Sequence, residues 1–301
     1  MHPTANVTPS PQQLDIFAHS RDVMLRNDVL EALERRDAAG ARAAWRALAA
    51  EFEADAALSP MNVLVDALEQ RRDSPLADLA AVAAERRALE ESLAPAARRV
   101  LGAHAAEPWL RPCWATLAAR SHHLPFDGAH AEEHAAALWL RAKDWRAVAQ
   151  ATEHIESWRR IPAPLAWMAE ARCRESGLDT LWPLLAELAW LSPARASALC
   201  TCLGDPLLTR LHERFEANFD PMSEATDMAW FPAWLLTQTP ALAPHLSQAQ
   251  RCQHSPPEQG MRLVVELLGL ERQGRHHDLV QRRRALRDLN AALYTAYMAT
   301  R

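Results

Sequence analysis

Glu34-Arg-Arg-Asp37-Ala-Ala-Gly-Ala-Arg42 and Arg141-Ala-Lys-Asp144-Trp-Arg-Ala-Val148 are two versions of one phrase. In each, a run of helix formers stops at a cation, an aspartate follows, and small residues reopen a helical pattern. An aspartate in that place offers its carboxylate to the free N–H groups that open a helix. Each phrase therefore predicts the turn of a helical hairpin. Looser versions occur as Gln70-Arg-Arg-Asp73-Ser-Pro-Leu-Ala-Asp78 and Glu175-Ser-Gly-Leu-Asp179-Thr-Leu-Trp182. The four aspartates are 36, 71 and 35 residues apart, so the middle gap reads as two periods. A degenerate turn is then expected near Glu107-Pro108-Trp109. A period near 35 residues marks stacked helical hairpins. Leu268 to Val280, with Gly274 at its centre, repeats the helix–turn–helix pattern once more.

The segments around these turns agree. Leu14, Phe17, Met24, Leu25, Leu30 and Leu33 fall on one stripe at helical spacing. With three Ile, two Tyr and eleven Val, no alternating run of β-branched residues exists from which to build a sheet. Ser59-Pro60, Ser74-Pro75, Ser192-Pro193 and Asp205-Pro206 each place a capping side chain before a proline, the signature of a helix start. The expected fold is all-α, without β-sheet. Residues 1–13 read as a disordered arm and 14–217 as the helical-repeat array. Residues 218–301 read as an irregular helical segment followed by a helical pair. Within that segment, six prolines chop 218–260 into short helices, and Pro256-Pro257-Glu-Gln-Gly260 is expected to be a loop. A capping helix carrying Leu293, Tyr294, Tyr297 and Met298 closes the chain.

The phrases at Asp37 and Asp144 resemble the turn of a tetratricopeptide repeat, where helix A ends near Gly-Asp-aromatic and helix B opens with small residues. Pro60, Pro95 and Pro193 resemble the closing prolines of such units. The usual turn glycine is replaced by Arg36, Arg72 and Lys143. The resemblance implies a right-handed stack of antiparallel helix pairs, a TPR-like α-solenoid. It also implies a protein or peptide partner bound along its concave surface.

Charge and cysteine usage narrow the classes further. The net charge of −5 carries no overall footprint for nucleic acid. Only Lys143 among the 33 basic residues is lysine, which, with the abundant Ala and Pro, fits a GC-rich bacterial genome. The five cysteines form no Cys-x-x-Cys spacing and read as reduced thiols. The opening residues have neither a cationic nor an apolar region, so no secretory signal is expected, and no apolar run is long enough to span a membrane. The expected location is the cytoplasm.

Chemistry-bearing strings are few. His130-Ala-Glu-Glu133-His134 would place two imidazoles one turn apart on a helix, with Glu133 beside them. It matches the His-x-x-Glu-His string of inverted zinc peptidases, in which glutamate deprotonates a zinc-bound water. Glu213 is the candidate third ligand. An exposed helix face explains the same string without metal. Eight of the eleven tryptophans lie between Trp109 and Trp190, as packing between hairpins or as anchors in a groove. Trp167 with Arg141, Arg172 and Arg174 is the candidate partner contact. Arg282-Arg-Arg284 with Arg287 reads as a solvated helix face, and nucleic acid is not expected as a partner. The phosphate-loop, dinucleotide and nucleophile-elbow motifs are missing. The function expected is that of a non-enzymatic adaptor or scaffold without cofactors. The alternative is a zinc hydrolase on His130, Glu133 and His134.

Overall fold

The computed structural model describes residues 11–70, 73–219, 227–252 and 254–301, with side chains from residue 21 onward. The described residues are helical and contain no strand. The chain divides into two compact units, one ending at Leu124 and the other beginning at Pro125.

The first unit comprises α1 (Pro11–Glu34), α2 (Ala38–Glu51), α3 (Leu58–Glu69), α4 (Leu79–Ala88), a π-helical turn (Leu89–Leu93) and α5 (Ala94–Ser121). Helix α1 packs on α2, α2 on α3, and α3 on α5. Helix α1 begins at Pro11, so the last three residues of the expected arm are helical, and residues 1–10 lie outside the described residues. Four sequence expectations fail here. Ser59 does not cap α3, which begins at Leu58 behind Ala57 with no side-chain cap. Ser74-Pro75 starts no helix; the carboxylate of Asp78, which accepts from the Ala81 amide at 2.8 Å, opens α4 instead. Asp73 lies in that loop rather than at a hairpin turn. No turn forms at Glu107-Pro108-Trp109, because α5 runs through both Pro108 and Pro112. Its break lies at Gly102, whose φ of +80° suits a residue without a Cβ.

The second unit comprises a 3₁₀ segment (Gly128–Glu133), then α6 (Ala135–Ala142), α7 (Trp145–Glu153), α8 (Pro162–Ser176), α9 (Leu178–Leu191), α10 (Pro193–Leu203) and α11 (Pro206–Asn218). It continues through α12 (Phe231–Gln238), α13 (Ala243–Leu246), α14 (Pro256–Gln273), α15 (His276–Leu289) and α16 (Ala291–Met298). Helices α6 to α10 pack each on the next, and α6 and α10 also touch α8. The stretch 218–260, where a break is expected, contributes Phe231, Trp234 and Leu235 to the core. Pro256 and Pro257 occupy the first turn of α14, where a missing N–H costs nothing, so the expected loop is a helix start. Leu293 and Tyr297 of α16 are buried.

Three hairpins close in the same way. Arg36, Lys143 and Gly274 adopt left-handed backbone with φ of 55°, 59° and 68°. In each, the next residue donates back five positions: Asp37 to Ala32, Asp144 to Trp139 and Arg275 to Leu270. This is the Schellman closure of a helix C-terminus. Asp37 and Asp144 then cap α2 and α7 through the Gly40 and Ala147 amides, each at 3.0 Å. Arg72 lies outside the described residues.

Two of the buried carboxylates in the second unit, Glu187 and Glu258, anchor loop backbone. Glu187 is 2% exposed and accepts from the Gln250 amide at 2.8 Å and from Arg159 at 3.2 Å. Burial raises its pKa. Glu258 is 1% exposed and accepts from the His254 amide at 2.9 Å, the Cys252 amide at 3.2 Å and Arg262. Together they tie the segment between α13 and α14 to the helices.

Candidate binding cleft

The first unit contains a half-open cleft of about 520 Å³. Its walls come from the α1–α2 turn, α3, the loop before α4, the end of α4, the π turn and α5. That volume lies within the range of small-ligand and peptide side-chain pockets.

The π turn shapes one wall. Ala94 donates to the Leu89 carbonyl five residues back, so the helix carries an extra residue and widens. Leu89 and Leu93 are buried beneath the wall and Ser92 is exposed on it. Half-buried Val63 and Leu68 of α3 add apolar surface. Exposed Thr116 and half-buried Cys113 come from α5, one turn apart.

Charged residues set the rim. Arg120 donates to Glu85 at 2.5 Å and to the Ser74 carbonyl at 2.7 Å, and its own carbonyl accepts from the Leu76 amide. It thereby clamps the loop before α4 to α5. Asp66 is held by Arg42 and by Asn62, the latter at 2.9 Å. Arg36 projects from the left-handed turn. Its guanidinium lies over the Trp109 ring at 4.9 Å, donates to the Trp109 carbonyl at 2.7 Å and approaches the Cys113 sulfur at 3.7 Å. Trp109 is buried and donates through Nε1 to the Leu33 carbonyl at 2.8 Å. Pro112, one turn after Pro108 in α5, has no N–H for the Pro108 carbonyl.

The residues singled out in the sequence lie elsewhere, in the second unit. Trp167 is a core side chain, only 6% exposed. Its ring stacks on His134 with centroids 5.9 Å apart and meets Phe126 edge-on at 6.1 Å. The groove role expected for its indole is therefore corrected to packing. Arg141, Arg172 and Arg174 are partly exposed. Arg172 pairs with Glu153 at 3.0 Å. Arg174 donates to the Cys202 carbonyl at 2.9 Å and lies over the Trp145 ring. Arg141 lies 3.9 Å from Glu132.

The helix expected through His130 and His134 does not form. Asp127 caps a 3₁₀ segment, His130 has non-helical φ and ψ, and His134 is the N-cap of α6. His130 is exposed and bonds Asp127 at 2.9 Å, which raises its pKa. His134 is 8% exposed, and its Nδ1 accepts from the Ala136 amide at 3.2 Å. Burial lowers its pKa to about 4, so it is neutral with the proton on Nε2. The two imidazoles thus occupy opposite environments instead of one helix face. Glu133 is buried and Glu213 is exposed on α11. Among the described residues, no group of three His, Cys, Asp or Glu side chains is placed to hold a metal ion.

The five cysteines are free thiols; Cys200 is buried, which pushes its pKa up to about 12. Arg275, Arg282, Arg283 and Arg287 of the basic run each pair with a carboxylate. Among the described residues no helix is long and apolar enough to cross a membrane. Compared with known proteins, the chain matches no family model, no curated protein and no solved structure.

The cleft escapes a sequence reading because its lining is scattered from residue 36 to residue 120 with no motif. One signal was present: an arginine stands where a hairpin turn ordinarily carries glycine.

Proposed function

We propose that the chain is a non-enzymatic adaptor of the helical-hairpin type and that its first unit takes a peptide segment of a protein partner in the cleft. The cleft itself carries this reading: it combines an apolar wall, a polar rim and an open mouth, as peptide-binding grooves do. The shared Schellman closures at Arg36, Lys143 and Gly274 support a recurring hairpin turn; the tetratricopeptide-like, right-handed stacking of the hairpins is part of the proposal. Five free cysteines support a reducing, cytoplasmic location, and the arginine-for-lysine bias supports a GC-rich bacterial source.

The test is selection of a displayed random-peptide library on the full chain, repeated with Ala88→Trp. Ala88 is exposed and lines the cleft, so an indole there fills it without disturbing the core. Peptides that enrich on the wild type and lose at least tenfold in affinity to Ala88→Trp support the reading. Failure to enrich any peptide, or binding indifferent to the indole, ends it.

A further inference from the structure

The cleft holds five charged side chains whose partners differ. Arg120 is neutralised by Glu85, and Asp66 by Arg42. Arg36 forms no ion pair among the described residues. Its guanidinium nevertheless has a fixed position, stacked on a buried indole and bonded to a backbone carbonyl. Of five N–H donors in a planar fork, two are engaged, by the Trp109 carbonyl and the Cys113 sulfur. Three are left for an acceptor. An arginine immobilised before its ligand arrives loses little side-chain freedom on binding. The fork also matches a carboxylate in plane. Asp73, the remaining charge, is an exposed loop carboxylate that follows Arg71 and Arg72 in sequence.

Resting on the peptide-cleft reading, we infer that the occupant is an acidic peptide segment whose Asp or Glu carboxylate docks on Arg36 while a neighbouring apolar side chain lies on Val63 and Leu68. The cation–π contact orients the fork, and the apolar wall supplies burial that a bare anion would not use. A free inorganic anion therefore binds far more weakly than the peptide.

The experiment takes the enriched peptides from the library selection and measures their binding to the full chain by fluorescence anisotropy. An acidic residue at one fixed position is expected. Changing it to its amide should weaken binding at least tenfold, and Arg36→Gln should do the same to the parent peptide. The amide peptide should lose little more on Arg36→Gln, since both changes remove one contact. The peptide substitution leaves the protein intact, so the result stands even if Arg36→Gln loosens the turn. Enriched peptides that respond to Ala88→Trp but favour a basic residue, or are indifferent to the amide change, overturn the Arg36 assignment while the cleft reading survives. Enriched peptides indifferent to Ala88→Trp overturn both.

Discussion

Ion pairs cross between helices in both units, as Arg172 to Glu153 and Arg282 to Glu266 show in the second; the units differ in their aromatic packing. In the first, charged pairs bridge the helices: part-buried Arg26 to Asp55 and Arg42 to Glu69 and Asp66, and exposed Arg21 to Glu51. The second is packed with rings. Phe215, Phe219, Phe231 and Trp234 form one contiguous set, and Trp182, Trp190 and Tyr297 belong to the same core. Each buried ring removes some 150–250 Å² from water, far more than an alanine side chain can. Each unit keeps an open cleft: that of the second, about 540 Å³, is lined by Phe219 and Trp234 of this aromatic set, whereas that of the first has aliphatic and charged walls. In the first unit the Arg120–Glu85 pair clamps one wall of the cleft.

The contrast breaks most directly at the rings. Trp182→Ala removes a side chain 2% exposed and should lower stability by about 3–5 kcal/mol, read from urea unfolding. A loss below about 1 kcal/mol would mean that the aromatic core does not carry the second unit.

A middle-sized effect should follow acidification. The unfolded chain protonates His134 near its ordinary 6.5, the folded chain only near 4. The stabilisation is complete above pH 6.5 and is lost as pH falls toward 4. Allowing for solvent screening, the loss is on the order of 2 kcal/mol. His134→Asn keeps a capping acceptor for Ala136 but cannot titrate, so the fall in urea midpoint between pH 7 and pH 4.5 should shrink. An unchanged slope would assign the acid sensitivity to other groups.

The smallest change belongs to the first unit's surface. Arg21→Ala removes a solvent-exposed pair with Glu51, and the urea midpoint should stay where it is, at low and at high salt alike. A clear drop would show that the surface pairs of this unit carry more than their exposure suggests.

What could be read in the residues, and what could not, follows the range of the interactions involved. Helix ends governed by local chemistry were legible: Asp37, Asp144, Gly274 and Asp205-Pro206 lie where the turns and caps form. Ser74-Pro75 and Glu107-Pro108-Trp109 misled because longer-range contacts decided there. Arg120 holds the loop after Ser74, and Trp109 is fixed by the Leu33 carbonyl. At Pro256-Pro257 the same residues that mark loops also suit a helix's first turn. Trp167 was ambiguous in kind, since an indole reads alike in a core and in a groove; only its contacts with His134 and Phe126 separate the two. The string His130 to His134 fits helical spacing, yet the Asp127 cap and the burial of His134 override it. The cleft required three dimensions, because its walls have no common stretch of chain.

The left-handed turn at residue 36 has one more consequence. A side chain there strains the backbone by roughly 1–2 kcal/mol relative to glycine. Glycine would relax the bend and strip the Trp109 carbonyl of its guanidinium. In this hairpin, conformational ease has been exchanged for a cation mounted on a rigid corner.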